Sequence, residues 1–173
     1  ANTTDGSTSV MLSEENKYYI DIHDNLTFIK DGSEFIWTSE QDGWNHIYRY
    51  DRDGTLQAQI TTGKWDVTRF YGVDQKNGQV YFQAAAKDPM QREVYRIRLD
   101  GERMEAIADQ NGTNGAQFSS TYDYYVLTHA TANRPAQFTV YNRNGAPLRT
   151  IEDNQKLADK QKGYGVQPVE FFT

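Results

Sequence analysis

The sequence predicts an all-β chain: a partial β-propeller of about three four-stranded antiparallel blades, plus a leftover strand from a preceding blade. Three observations predict it. Asx-Gly turn signals end at Gly6, Gly54, Gly101 and Gly145, at spacings of 48, 47 and 44 residues. A repeat in the forties filled with short strand-like segments is the period of propeller blades and not of helical arrays. Aromatic residues make up 13% of the chain, with Tyr 12, Phe 8 and Trp 3, and such side chains pack well on a pleated, half-buried surface.

The elements follow in the same order in each unit. NHIYRYD (45–51), REVYRIRLD (92–100) and QFTVYN (137–142) alternate apolar and polar residues before the turn, each with a Tyr in the same relative place. After the turn come TSVML, TLQAQI, RMEAI and PLRTI, with Asp-Gly or Asn-Gly supplying the positive-φ corner of a tight hairpin. Upstream of each outer pair lies an inner pair: LTFIK with EFIWTS (26–39), TRFYGV with QVYFQAA (68–85), and AQFSS with YYVLTHA (116–130). The expected organisation is the end of a preceding blade at 1–22, blades at 23–67, 68–115 and 116–151, and a linker at 152–173. Within that linker, EDNQKLADKQKG is the one segment that could form a short helix, and with few apolar anchors it is expected to give about one helical turn.

Composition excludes several function classes. Lys+Arg 18 against Asp+Glu 24 gives a net charge of −6 without a basic run, so nucleic acid is not an expected partner. The absence of cysteine removes disulfides, a thiolate nucleophile and Cys-based zinc sites. No stretch approaches the ~20 apolar residues that span a bilayer, and no membrane span is expected. Asp51, Asp53 and Gly54 lack the later Glu and intervening oxygens of a calcium loop, and a hairpin turn accounts for them. No metal site or cofactor is expected.

Particular strings narrow the propeller. FIKDGSEFIWTSEQDGWNHIYRYDRDG, then ITTGKWDVTRFYGVD, resembles the propeller domain of dipeptidyl peptidase IV-like serine peptidases. The resemblance rests on Asp31-Gly32, Ser39-Glu40, His46-Ile47, then Thr62, Gly63, Trp65, Asp66 and Val67, and on an exit at Leu148 and Ile151-Glu152-Asp153-Asn154. It implies the later blades of a larger propeller, with VQPVEFFT beginning the passage to an α/β-hydrolase domain. It also implies a parent enzyme that removes Xaa-Pro or Xaa-Ala dipeptides from peptide amino termini, with a periplasmic or exported location in bacteria.

The family's serine sits in a G-x-S-x-G elbow, and no such string occurs in the 173 residues. The chain itself is therefore expected to be non-catalytic, a wall that gates access of peptide substrates. Glu14-Glu15 do not match the family's amino-terminus-binding glutamates. Asp21-Ile22 fall where the family has a Phe-Arg pair lining an extended subsite, and neither residue type agrees. With the loop Asp42–His46 at a blade end, this makes Asp21, Trp44 and His46 the substrate-channel candidates, while the favoured reading of that loop is a turn followed by a His whose ring neighbouring strands satisfy. Trp65 is expected to pack between blades, and Tyr122–Tyr125 to send alternate tyrosines inward. Sequons stand at Asn2, Asn25 and Asn111. Exposed blade faces predict self-association. The alternative function is a non-enzymatic, TolB-like protein-binding propeller.

Overall fold

The computed structural model describes residues 4–108, 110–165 and 168–170. Among them lie three four-stranded antiparallel sheets, each a simple meander. Sheet one comprises β1 (Thr27–Ile29), β2 (Glu34–Ser39), β3 (His46–Asp51) and β4 (Leu56–Gln59). Sheet two comprises β5 (Val67–Asp74), β6 (Gln79–Ala84), β7 (Glu93–Arg98) and β8 (Glu105–Ala108). Sheet three comprises β9 (Thr113–Phe118), β10 (Tyr124–Thr131), β11 (Arg134–Asn142) and β12 (Pro147–Glu152). Strand β5 touches both β1 and β9, so the first strand of each sheet converges on a common hub.

The Asx-Gly turns join the last two strands of every sheet. Gly54, Gly101 and Gly145 have φ of 83°, 84° and 80°. Each donates its N–H to the carbonyl three residues back, on Asp51, Arg98 and Asn142. These are type I turns closed by a left-handed residue, which glycine adopts without steric cost. The Asp51 Oδ1 accepts the N–H groups of Asp53 and Thr55, and the Asn142 Oδ1 those of Asn144 and Ala146. Side-chain capping of the turn is why Asx residues stand there.

Alternation along the strands places apolar side chains on both faces. Ile36 and Ile47 point toward sheet two and join Val80, Phe82, Tyr95 and Ile97 in one cluster. On the opposite face of sheet two, Val94 and Ala108 meet Tyr125 and Leu127 of sheet three. The other face of sheet one, carrying Phe35, Tyr48 and Tyr50, is covered by Met11 and Leu12. Burying each such side chain contributes about 1.5–3 kcal/mol, which makes the faces between sheets the main source of cohesion. Among the described residues the outward side of sheet three has no such cover: every residue of β12 is exposed, Leu148 and Ile151 among them.

Four expectations need correction. TSVML is not in a strand ladder; Met11 and Leu12 lie against sheet one with no hydrogen-bonded neighbour strand among the described residues, which a strand requires. The three outer strands do not share a Tyr at one position. Aligned on their turns, Tyr48 and Tyr95 correspond, but sheet three has Thr139 there, and Tyr141 corresponds to Tyr50. AQFSS starts mid-strand, since β9 begins at Thr113. Finally, the linker holds α1 (Gln155–Gly163), nine residues long and without a buried residue. Local interactions sustain it: Gln155 N–H donates to Asp153 Oδ1, and Lys160 and Lys162 sit at the negative end of the helix dipole. The expected passage VQPVEFFT falls largely on residues 166–167 and 171–173, outside the described residues.

Candidate functional site

Segment Leu12–Asn25 crosses the rim of sheet one and leaves an open cleft of about 370 Å³ between itself, Thr38–Gln41, Asn45 and Thr68. Its charged lining is acidic: Glu14, Glu15, Asp21 and Glu40. Two interactions fix the segment. Glu14 Oε2 accepts the indole N–H of Trp37 at 3.0 Å, so this carboxylate is committed to structure. His23 packs on the same indole with centroids 4.4 Å apart; its Nε2–H donates to the Thr38 carbonyl at 2.8 Å and its Nδ1 accepts the Asn25 N–H. Asn25 Nδ2 in turn donates to Thr38 Oγ1, which ties up the amide of that sequon.

The candidates drawn from sequence separate in space. Asp21 is exposed and lines the cleft. Trp44 stands at the tip of the 40–45 loop, 38% exposed, outside that lining. His46 has no exposed surface and cannot meet a substrate in this arrangement. Its Nε2–H donates to the Gly63 carbonyl at 3.0 Å, and Nδ1 lies 3.1 Å from Thr61 Oγ1. Of the two readings of loop Asp42–His46, the structural one holds for His46, which acts as a clamp.

That clamp explains the T-x-G-x-W-D-V string. Thr61, not Thr62, is the buried threonine: its hydroxyl also accepts the Ile47 N–H at 2.9 Å. Gly63 has φ 138°, and a Cβ there would overlap the Trp65 indole nitrogen. Trp65 stands edge-on to His46 and stacks over Phe82 of sheet two, a junction between sheets as expected. Asp66 Oδ1 accepts the Asn45 N–H at 2.8 Å, and Asn45 exchanges two further bonds with Val67. Asn45 and Thr61 were not singled out from the sequence; their place beside the string was the available signal.

The next junction is aromatic. Tyr122 stacks on Tyr81 and Tyr125 on Tyr141, with centroids 5.1 and 5.3 Å apart, while Tyr124 is exposed. Burial pushes the Tyr125 phenol up to about 12, and burial likewise pushes Tyr48 up to about 12. His129, against Asn114 Oδ1 at 3.0 Å, is held below its ordinary value by burial and by Arg134. Of the other sequons, Asn111 is exposed and Asn2 lies outside the described residues. Among the described residues no helix is long and apolar enough to cross a membrane.

Three hub-converging meanders with buried faces between them define a β-propeller segment, here carrying an acidic cleft at its first rim. The family described as "Dipeptidyl peptidase IV (DPP IV) N-terminal region" matches residues 1–136, and the chain belongs to it. The chain is similar to the crystal structure of Porphyromonas gingivalis dipeptidyl peptidase 4, at 40% identity and a TM-score of 0.81, covering 88% of this chain and 22% of that one. It is 31% identical over 154 residues to a dipeptidyl peptidase 4 of Trichophyton equinum, covering 86% of this chain and 20% of the relative. It is 30% identical over 142 residues to that of Arthroderma otae, covering 80% and 18%. The chain therefore spans about a fifth of the length of the relatives it matches.

Proposed function

We propose that this chain is the non-catalytic propeller segment of a serine-type dipeptidyl peptidase, a hydrolase that releases Xaa-Pro or Xaa-Ala dipeptides from peptide amino termini. The observation that carries the reading is the similarity to Porphyromonas gingivalis dipeptidyl peptidase 4 across 88% of the chain. The family match does not favour the protein-binding alternative.

In this reading the stiff sheets hold loops at a channel mouth, and the nucleophile belongs to an α/β-hydrolase domain. Four-stranded sheets buried on their faces are suited to that task because loops set on a rigid scaffold keep their positions. Asp21 is the residue of this chain assigned to the channel wall, since it lies exposed in the cleft. An exported or periplasmic location fits the same reading.

The test is a pair of assays with a chromogenic glycyl-prolyl anilide. The chain alone releases no chromophore, and the protein in which it is followed by a G-x-S-x-G domain does. Release by the chain alone would overturn the non-catalytic assignment. Failure of the longer protein on every Xaa-Pro and Xaa-Ala substrate would overturn the peptidase.

A further inference from the structure

Four Asn-Gly pairs occur, at Asn77, Asn111, Asn114 and Asn144. Such a pair can modify itself, because glycine leaves its own nitrogen sterically open to attack the preceding amide carbon. Whether it does depends on that nitrogen and on the asparagine side chain. The structure separates Asn77 from the other three pairs by the state of that nitrogen.

Asn114 is buried, and its Nδ2 donates to the carbonyls of Arg92 and Gln110. Gly115 lies inside the β9 ladder opposite Thr128. Gly112, after Asn111, donates its N–H to Gln91 Oε1. Gly145, after Asn144, donates its N–H to the Asn142 carbonyl at 2.9 Å as part of the hairpin turn. At Asn77 the situation differs. It is exposed in the β5–β6 turn, a Cβ on Gly78 would meet only open space, and the Gly78 N–H makes no hydrogen bond among the described residues. Asn77 Nδ2 lies 2.7 Å from Asp74 Oδ2, and the Asn77 N–H donates to Asp74 Oδ1 at 3.2 Å.

We propose that Asn77 is a self-processing modification site, converted through a cyclic imide to aspartate and isoaspartate. The Gly78 nitrogen gives its proton to solvent and bonds to Asn77 Cγ. The Cγ–Nδ2 bond breaks, and the nitrogen, taking one proton from water, leaves as ammonia. Water then opens the imide at either carbonyl, with no change of oxidation state. The Asp74 carboxylate beside the departing nitrogen stabilises the positive charge it gains on protonation.

The product bears on the junction between sheets two and three. Asp74 is buried, and its Oδ2 lies 3.6 Å from the Arg143 guanidinium. Arg143 also bonds Asp123 and the carbonyls of Thr121 and Tyr122 in sheet three. A carboxylate in place of the Asn77 amide sets a like charge against Asp74 and competes with that tie.

The purified protein incubated at mildly alkaline pH tests the order by peptide mapping with isoaspartyl methyltransferase labelling. The expected result is loss of the unmodified Asn77-Gly78 peptide ahead of the other three. Conversion first at Asn144, Asn111 or Asn114, or at equal rates, overturns the site. A second arm compares Asn77→Asp with Asn77→Ser by thermal unfolding. The expected result is a lower melting temperature for Asn77→Asp, and equal temperatures overturn the coupling to the junction.

Discussion

The imidazole of His46 meets the indole of Trp65 edge-on, with ring centroids 4.9 Å apart and planes at 89°. The contact joins the start of β3 to the crossover leading into β5, so it binds sheet one to the entry of sheet two. Replacing His46 with Ala leaves a cavity and strips the Gly63 carbonyl and Thr61 hydroxyl of their buried partner. A loss of about 3 kcal/mol is expected in urea unfolding. Thr61→Ala is expected to cost about 2 kcal/mol and Thr62→Ala about 0.5 or less, since Thr62 is exposed. Equal costs for the two threonines would refute the clamp.

The same clamp makes one glycine far less replaceable than another. Gly63 and Gly78 both have positive φ, but only at Gly63 does a Cβ meet an immovable group, the indole held between His46 and Phe82. Gly78→Ala is expected to cost about 1 kcal/mol for its left-handed backbone alone. Gly63→Ala adds displacement of Trp65 and is expected to cost about 3 kcal/mol. Chemical denaturation of both variants, with Trp fluorescence as the probe, checks the difference.

Much of this architecture is legible in sequence because turn chemistry is local. Asp51, Asn142 and the glycines after them announce their hairpins through side-chain and backbone needs that involve only a few neighbouring residues. The misreadings lie where geometry depends on distant partners. Tyr48, Tyr95 and Tyr141 look equivalent as letters, yet the ladder sets Tyr141 two residues out of phase. For His46, in a polar loop string, a ring satisfied by neighbouring strands is the reading the string favours, and Thr61, Gly63 and Trp65 folding back over it supply that burial. Helix α1 runs past a single turn for the opposite reason: it has few packing anchors, and its stability comes from short-range bonds at its ends. The family pattern sets a Phe-Arg pair where Asp21-Ile22 stand and so gives no signal for an acidic cleft, and the commitment of Glu14 to Trp37 spans 23 residues and has no local signature.

If the chain walls a substrate channel, Asp21 and His46 should respond to mutation in different ways. In the full peptidase, Asp21→Ala is expected to change KM for dipeptidyl substrates with kcat unaltered, because a wall residue contributes to binding alike in ground and transition states. His46→Ala is expected to lower the unfolding temperature with KM unchanged. Steady-state kinetics on the two variants, together with thermal unfolding, tests the division. A KM change at His46 with none at Asp21 would reverse it.

The buried tyrosines predict how stability falls in alkali. Tyr48 and Tyr125 titrate at about 12 in the folded chain because burial penalises the phenolate, and an unfolded tyrosine ionises near 10. Below pH 10 both states hold the proton and the stability associated with these groups is fully present. Between 10 and 12 the unfolded chain releases protons that the folded chain keeps, so stability declines with rising pH across that window. Denaturant midpoints measured through this range should fall steadily, and phenolate absorbance should show a fraction of the tyrosines ionising late. Replacing Tyr125 with Phe removes one late-ionising group and makes the decline shallower. The variant also loses the hydrogen bond from the Tyr125 hydroxyl to the Ile107 carbonyl, 3.3 Å, so its stability at neutral pH starts lower while its slope in alkali is smaller. A slope unchanged by the substitution would place the late ionisation on other tyrosines.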